Sequence, residues 1–279
     1  MFTRISRSWE LIKASGAVLR QDKELLLFPF FSAVATLIVS ASFIVPLILT
    51  GAFERSIAPG DETSYMVFLF VFYLIQYVII FYFNSALVGA AMIRLDGGDP
   101  TVRDGLRIAS SRVVQILGYA AIAATVGLIL RIIEERAGFI GRWIAGLVGL
   151  AFTVATFLTV PILVTRDVGP IDAVKESAVL LKKTWGENII GTGGIGLAFG
   201  LIVFAVMAVG AILAVAGSTI SPYVALAVAV ITILAVLLLS VIQAALAGIY
   251  SAALYRYAVD GQAPAGFDNG ALQIAFKSK

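Results

Sequence analysis

Neither cysteine nor histidine occurs anywhere in the 279 residues. Their absence removes disulfides, thiolate nucleophiles, histidine-based triads and His/Cys metal sites. It also removes the side chain that ordinarily senses pH near neutrality. Charge is scarce as well: Asp, Glu, Lys and Arg together make up 13% of the chain, while apolar residues make up 60%. Soluble domains run nearer about 25% and 45–50%. The net charge of +3 is spread over short flanks, so no basic stripe suited to nucleic acid is present.

The scarcity is concentrated. From Asn188 to Tyr255 the chain runs for 68 residues without a charged side chain. A helix rises about 1.5 Å per residue and the hydrocarbon core of a bilayer is about 30 Å thick, so about 20 apolar residues cross it. This run is long enough to cross twice, with breakers at Gly217-Ser218-Thr219-Ile220-Ser221-Pro222 for its turn. The chain is therefore expected to be an all-α, polytopic membrane protein, and the rest of it supplies four further crossings.

The first crossing lies in the charge-free interval between Glu24 and Glu54, with Pro29 in its first turn and Pro46 near its far end. The second runs from about Tyr65 to Ile93, is rich in aromatics, and contains Gln76 and Asn84. These two carboxamides share a face and are read as glue between helices or as the lining of a pore. A short third crossing fits between Arg112 and Arg131; a loop to Arg142 follows, and a return crossing ends at Arg166. Within the return crossing Thr153, Thr156 and Thr159 recur every third residue, and Pro161 interrupts near the exit. With Ser240 and Gln243 these complete the polar material available at membrane depth.

Short amphipathic segments precede the crossings. In the first, Ile5, Trp9, Ile12, Gly16 and Leu19 oppose Arg4, Arg7, Glu10, Lys13 and Arg20. Its apolar stretch lies too far from the start for a cleaved signal peptide, and Trp9 is expected to anchor it in the membrane interface. In the second, Thr101 with Asp104 approximates a capping box; Val102, Leu106, Ala109, Val113 and Ile116 form the apolar stripe, with Arg103, Arg107 and Arg112 off it. In the third, Ile171, Val174, Ala178 and Leu181 oppose Lys175, Lys182 and Lys183, and Trp185 closes the segment. The order of amphipathic helix, outward crossing, return crossing, Arg and Gly/Pro turn recurs three times. One membrane domain, 1–279, is expected, with approximate repeat units 1–94, 95–166 and 167–256 and a tail at 257–279. The flanks on one side hold 16 of the 20 Lys and Arg residues. By the positive-inside rule both termini and all three amphipathic helices face the cytoplasmic side of a plasma membrane.

No catalytic motif emerges. The stretch GTGGIGLAFG, Gly191 to Gly200, lacks the preceding soluble strand and following Lys-Ser/Thr of a phosphate loop. Gly193, Gly196 and Gly200 read instead as a small-residue face for close helix packing. Asp96, Asp99 and Asp104, and the pair Glu134 and Glu135, suit turns, caps and solvent; an aspartate pair holding a divalent cation is the sharper alternative. No cofactor is expected.

The opening SRSWELIKASGAVLRQDKELLLFPFFSA resembles the start of a large group of uncharacterised prokaryotic integral membrane proteins known only as a domain of unknown function. The segments RDGLRIASSRVVQILGY and IDAVKESAVLLKKTW are distantly similar to the membrane domain attached to some glycerophosphodiester phosphodiesterases. The resemblance implies a six-crossing helical fold and prokaryotic origin, and carries over no catalytic residues. Three functions remain in play: a non-enzymatic protein that scaffolds or associates with other membrane components or lipid, a channel or facilitator for a small solute or ion, and a lipid-active membrane enzyme. The expected partners are membrane lipid, with anionic headgroups at the basic collar, and a protein partner or a second copy of the chain.

Overall fold

The computed structural model describes residues 13–50, 62–185, 194–261 and 267, and every regular element among them is helical. The reading of Trp9 falls outside these residues, as does that of Gly193. Helix α1 covers residues 13–21, and a 3-10 turn at Lys23–Leu26 leads into α2, Leu27–Leu49. Then follow α3 (Glu62–Leu95), α4 (Val102–Ser111), α5 (Val113–Arg136), α6 (Gly138–Ala155), α7 (Thr159–Thr165), α8 (Pro170–Trp185), α9 (Gly194–Ser218) and α10 (Pro222–Asp260). Among the described residues six spans are long and apolar enough to cross a membrane: Lys23–Leu49, Thr63–Leu95, Val113–Arg136, Gly138–Thr165, Ala198–Ser218 and Pro222–Asp260. The chain is an all-α multi-pass membrane protein.

Local chemistry sets the ends of these helices. Thr101 Oγ1 accepts from the Asp104 N–H at 3.3 Å while the Asp104 carboxylate accepts from the Thr101 N–H at 3.1 Å, so the capping box forms. A long-range cap is added: Glu24 Oε2 accepts from the Val102 N–H at 3.1 Å, tying the turn before α2 to the start of α4. The expected turn at Gly217–Pro222 also forms. Ser221 Oγ accepts from the Tyr223 N–H, and Pro222 occupies the first turn of α10, where its missing N–H costs nothing.

The interval Arg131–Arg142 was expected to be a loop, and it is not one. Helix α5 continues to Arg136, and α6 restarts at Gly138, whose φ of +58° lets the chain reverse in a single step. The Glu-Arg composition suggested solvent, but Arg131 and Glu135 satisfy one another across a helical turn at 2.8 Å.

Helices pair in order, α2 with α3, α5 with α6, and α9 with α10, and α3 lies at the centre, packed against α2, α4, α5, α7 and α10. Burial is uneven along the crossings. Fully covered residues cluster at one end: Leu25, Phe28, Ala86, Leu87, Ile116, Leu163, Ile249 and Leu254 among them. Helices α1, α4 and α8 sit at that same end. Toward the other end large apolar residues stay uncovered, such as Ile48, Leu49, Phe139, Trp143, Leu147, Val215 and Tyr223. Among the described residues, helix α9 makes its substantial contacts with α10.

The glycines that bring helices together are not those of the small-residue stripe. A Cβ built on Gly196 or Gly200 meets nothing within 4 Å among the described residues, so neither makes a close helix approach there. The close approaches are elsewhere: Gly105 of α4 against Phe28 and Ala86, Gly248 of α10 against Leu87 of α3, and Gly210 of α9 against Thr232 of α10. Spacing on one helix cannot say which face meets a neighbour, and α9 turns Gly196 and Gly200 outward.

The inner face of α8 also differs from the expected stripe. Ala173, Ser177 and Leu181 are buried, whereas Ile171 is 58% exposed. The reason is a hydroxyl: Ser177 is drawn inward to serve a break in the neighbouring crossing.

Candidate functional site

The fourth crossing is discontinuous, with α6 ending at Ala155 and α7 beginning at Thr159. Pro161 cannot donate to the Phe157 carbonyl and its ring crowds that position, which favours an interruption just before it. In the break the Phe157 N–H bonds to the Val154 carbonyl and the Thr159 N–H to that of Thr156, both three residues back. The Leu158 N–H is left without a helical acceptor. Ser177 Oγ of α8 accepts from it at 3.0 Å in a buried contact. Irregular backbone at membrane depth is tolerated where protein covers and satisfies it, and here one side chain does so.

Around the break lie the hydroxyls of Tyr119, Thr156, Thr159 and Ser177. Thr156 bonds back to the Phe152 carbonyl at 2.8 Å. Thr159 is fully buried and its hydroxyl has no partner among the described residues. Tyr119 lies beside both threonines. Below the break, Thr165 and Tyr255 share a hydrogen bond at 3.0 Å, joining α7 to α10. Tyr119 stacks on Phe81 at 4.3 Å, and the rings continue through Tyr77 to Tyr73 along α3. At the far end of that ladder Arg131 donates to Tyr73 at 3.0 Å and to Tyr65 at 2.9 Å. Such a site can offer hydrogen bonds and ring faces. No group of three or more Asp or Glu residues placed to hold a metal ion occurs among the described residues.

The polar residues singled out from the sequence do not share a lumen. Gln76 donates from Nε2 to Ser40 Oγ at 2.8 Å, joining α3 to α2. Asn84 is half-buried and turns its side-chain oxygen toward the α3–α10 crossing at Gly248. Thr153 and Ser240 are exposed on their helices and bond back to the Gly149 and Val236 carbonyls at 2.9 Å and 2.8 Å. Gln243 is half-buried on α10. The threonine stripe dissolves because the break rotates Thr159 relative to Thr153. Residues that the sequence reading passed over are Tyr119, Ser177 and Arg131. Pro161 marked the break, but nothing in the sequence paired it with Ser177.

The basic end of the molecule is largely ion-paired. Arg112 meets Asp167 at 2.6 Å, Arg107 meets Asp104 at 2.9 Å, Lys175 meets Asp172 at 3.9 Å, and Arg256 of α10 meets Asp96 beyond α3. Arg112 was expected on the outer side of its helix; the bond to Asp167 holds it half-buried instead. Arg103 and Lys182 are exposed, while the side chains of Lys183 and Trp185 lie outside the described residues. Hydrogen bonds from the Thr101 side chain and backbone hold the Asp104 carboxyl below the usual range. Asp22 is raised by burial, against the opposing pull of Arg94.

No curated protein and no solved structure matches the chain, and no link to glycerophosphodiester phosphodiesterases emerges. One family model does match, over residues 63–267, from the second crossing past the end of the last. With that model spanning well over half of its length, the chain belongs to the family of unknown function DUF6159.

Proposed function

We propose that the protein is a non-enzymatic membrane component that associates with lipid and with another membrane-embedded chain. The observation that carries this reading is the uncovered apolar face of α6, where Phe139, Trp143 and Leu147 are each more than half exposed. Beside it, most hydrogen-bonding groups of the spans are already engaged between helices or with their own backbone, which favours association over conduction. Purification from native membranes with mild detergent tests it. A reproducible protein partner is expected with the wild type and is expected to be lost when Trp143 and Leu147 are both replaced by alanine. A protein recovered alone that makes liposomes leaky would overturn the reading in favour of a facilitator. The buried Thr159 hydroxyl beside Tyr119 at the break is what supports that second reading.

The same reading takes the order of short helix, crossing and return crossing as a three-fold pseudo-repeat, with α1, α4 and α8 as equivalent helices at the cytoplasmic surface. Exposed Arg103, Arg107, Lys175 and Lys182 there suit anionic headgroups, with about 1 kcal/mol of attraction for each cation held near the surface. Orientation follows from the charge asymmetry. Single cysteines at Ser56, Gly138 and Ser218 are expected to react with an impermeant thiol reagent on intact cells, and those at Ser110 and Thr184 only after permeabilisation. The native chain has no cysteine, so background is absent; external labelling at Ser110 would refute the orientation.

A further inference from the structure

A polar cleft of about 310 Å³ opens between the turn that precedes α2 and the turn that joins α3 to α4, lined by Arg20, Asp22, Lys23, Glu24, Asp99 and Thr101 among others. Asp22 is only 6% exposed, and its Oδ2 has no hydrogen-bond partner among the described residues. A buried carboxylate oxygen without a donor is costly, and native structures seldom leave one so. Arg94, the cation whose charge acts on Asp22, does not resolve it: Arg94 spends its Nη1 on the Gly98 carbonyl at 3.0 Å and on Asp99, while its own buried Nε lacks an acceptor among the described residues. Glu24 is committed to the Val102 N–H. Asp22 therefore asks for a donor from outside the described residues.

Position and charge narrow the choice. Asp22 immediately precedes Lys23, where the first span begins, so the cleft lies at the depth of lipid headgroups. Its wall also presents Arg20 and Lys23, both exposed cations. A bare metal ion does not suit it, since no group of three or more Asp or Glu residues placed to hold one occurs among the described residues. We propose that the cleft binds the ammonium–phosphate zwitterion of an ethanolamine phosphate group, the ammonium donating to Asp22 and the phosphate meeting Arg20 and Lys23. The group is supplied by an ethanolamine phospholipid or by soluble phosphoethanolamine, and Asp22 is its selectivity determinant. A primary ammonium has N–H donors, whereas the trimethylammonium of choline has none. The cleft should tell the two apart by hydrogen bonding alone. The inference stands apart from the proposed association with another membrane chain, because it concerns the opposite end of the first crossing from the exposed α6 face.

Native mass spectrometry of the purified full-length protein, offered equal ethanolamine and choline phospholipids of matched acyl chains, tests it. Retention of the ethanolamine lipid is expected to exceed that of the choline lipid by about tenfold, the value of one hydrogen bond to a charged group. Asp22→Asn is expected to bring the two within about twofold, and Arg20→Gln with Lys23→Gln to weaken both. Competition by soluble phosphoethanolamine separates the sources: displacement of the lipid at millimolar concentration identifies the free compound, and no displacement identifies the lipid. Equal retention of both lipids by the wild type would overturn the proposal without recourse to any variant. So would a preference that survives Asp22→Asn.

Discussion

Replacing Ser177 with alanine is expected to lower the stability of the bundle by about 1–3 kcal/mol, the loss that follows when a buried backbone N–H keeps no partner. The Ser177 hydroxyl is the only acceptor found for the Leu158 N–H among the described residues, at 3.0 Å and in a fully covered position. The contact is buried on both sides, and Pro161 disfavours the continuous helix that would supply another acceptor. Titration of mixed micelles with a denaturing detergent, followed by helical circular dichroism, gives the midpoint. Val179→Ala on the exposed face of the same helix is expected to move it by less than about 0.5 kcal/mol and serves as the control. A midpoint for Ser177→Ala equal to that of the control would show that Leu158 finds a different acceptor. The geometry of the break would then no longer depend on α8.

The second large effect reverses what residue spacing suggests. Gly105→Ala places a methyl 2.5 Å from Phe28 Cζ and 2.6 Å from the Ala86 carbonyl oxygen. Phe28 is 1% exposed and cannot swing away, and a backbone oxygen on α3 moves only with its helix. Overpacking of that kind costs about 1–3 kcal/mol. Gly200→Leu, a far larger change in volume, enters open space and is expected to stay within about 0.5 kcal/mol of the wild type. The same detergent titration ranks them. If Gly200→Leu is the more damaging, the outer face of α9 is covered by another chain in the membrane, and the association proposed above gains a location.

The two cases show what could be read from the sequence and what could not. The six crossings are legible because charge-free length is a one-dimensional quantity set by bilayer thickness, and Asn188 to Tyr255 satisfies it twice. Caps are equally local: Thr101 and Asp104 are three residues apart, and Ser221 adjoins Pro222, so their bonds are fixed before any tertiary contact forms. The facing of helices is not local. Gly196 and Gly200 have the spacing of a packing motif, yet among the described residues the close approaches of α9 to α10 are made at Gly210 and Gly217 instead. The inner side of α8 follows from an unsatisfied amide in a different crossing, nineteen residues away in sequence at Leu158. Arg131 read as a loop residue because charge usually marks the end of a span. Tyr65 and Tyr73, on the preceding crossing, let the helix run past it. Each miss concerns a partner supplied by another part of the chain.

The uneven burial along the crossings means that one molecule lives in two kinds of matter. At the end where Phe28, Leu87, Ile249 and Leu254 meet, neighbours are fixed side chains, and a missing methylene leaves a hole that nothing flows in to fill. At the other end, around Ile48, Leu49 and Val215, large apolar side chains stay exposed and face a fluid of acyl chains. A fluid closes over any shape, so trading leucine for isoleucine there opens no void and distorts no rotamer. The protein therefore behaves as a solid at its base and as a solute at its tips, and the two ends obey different rules of substitution. Shape governs the first and apolarity alone governs the second.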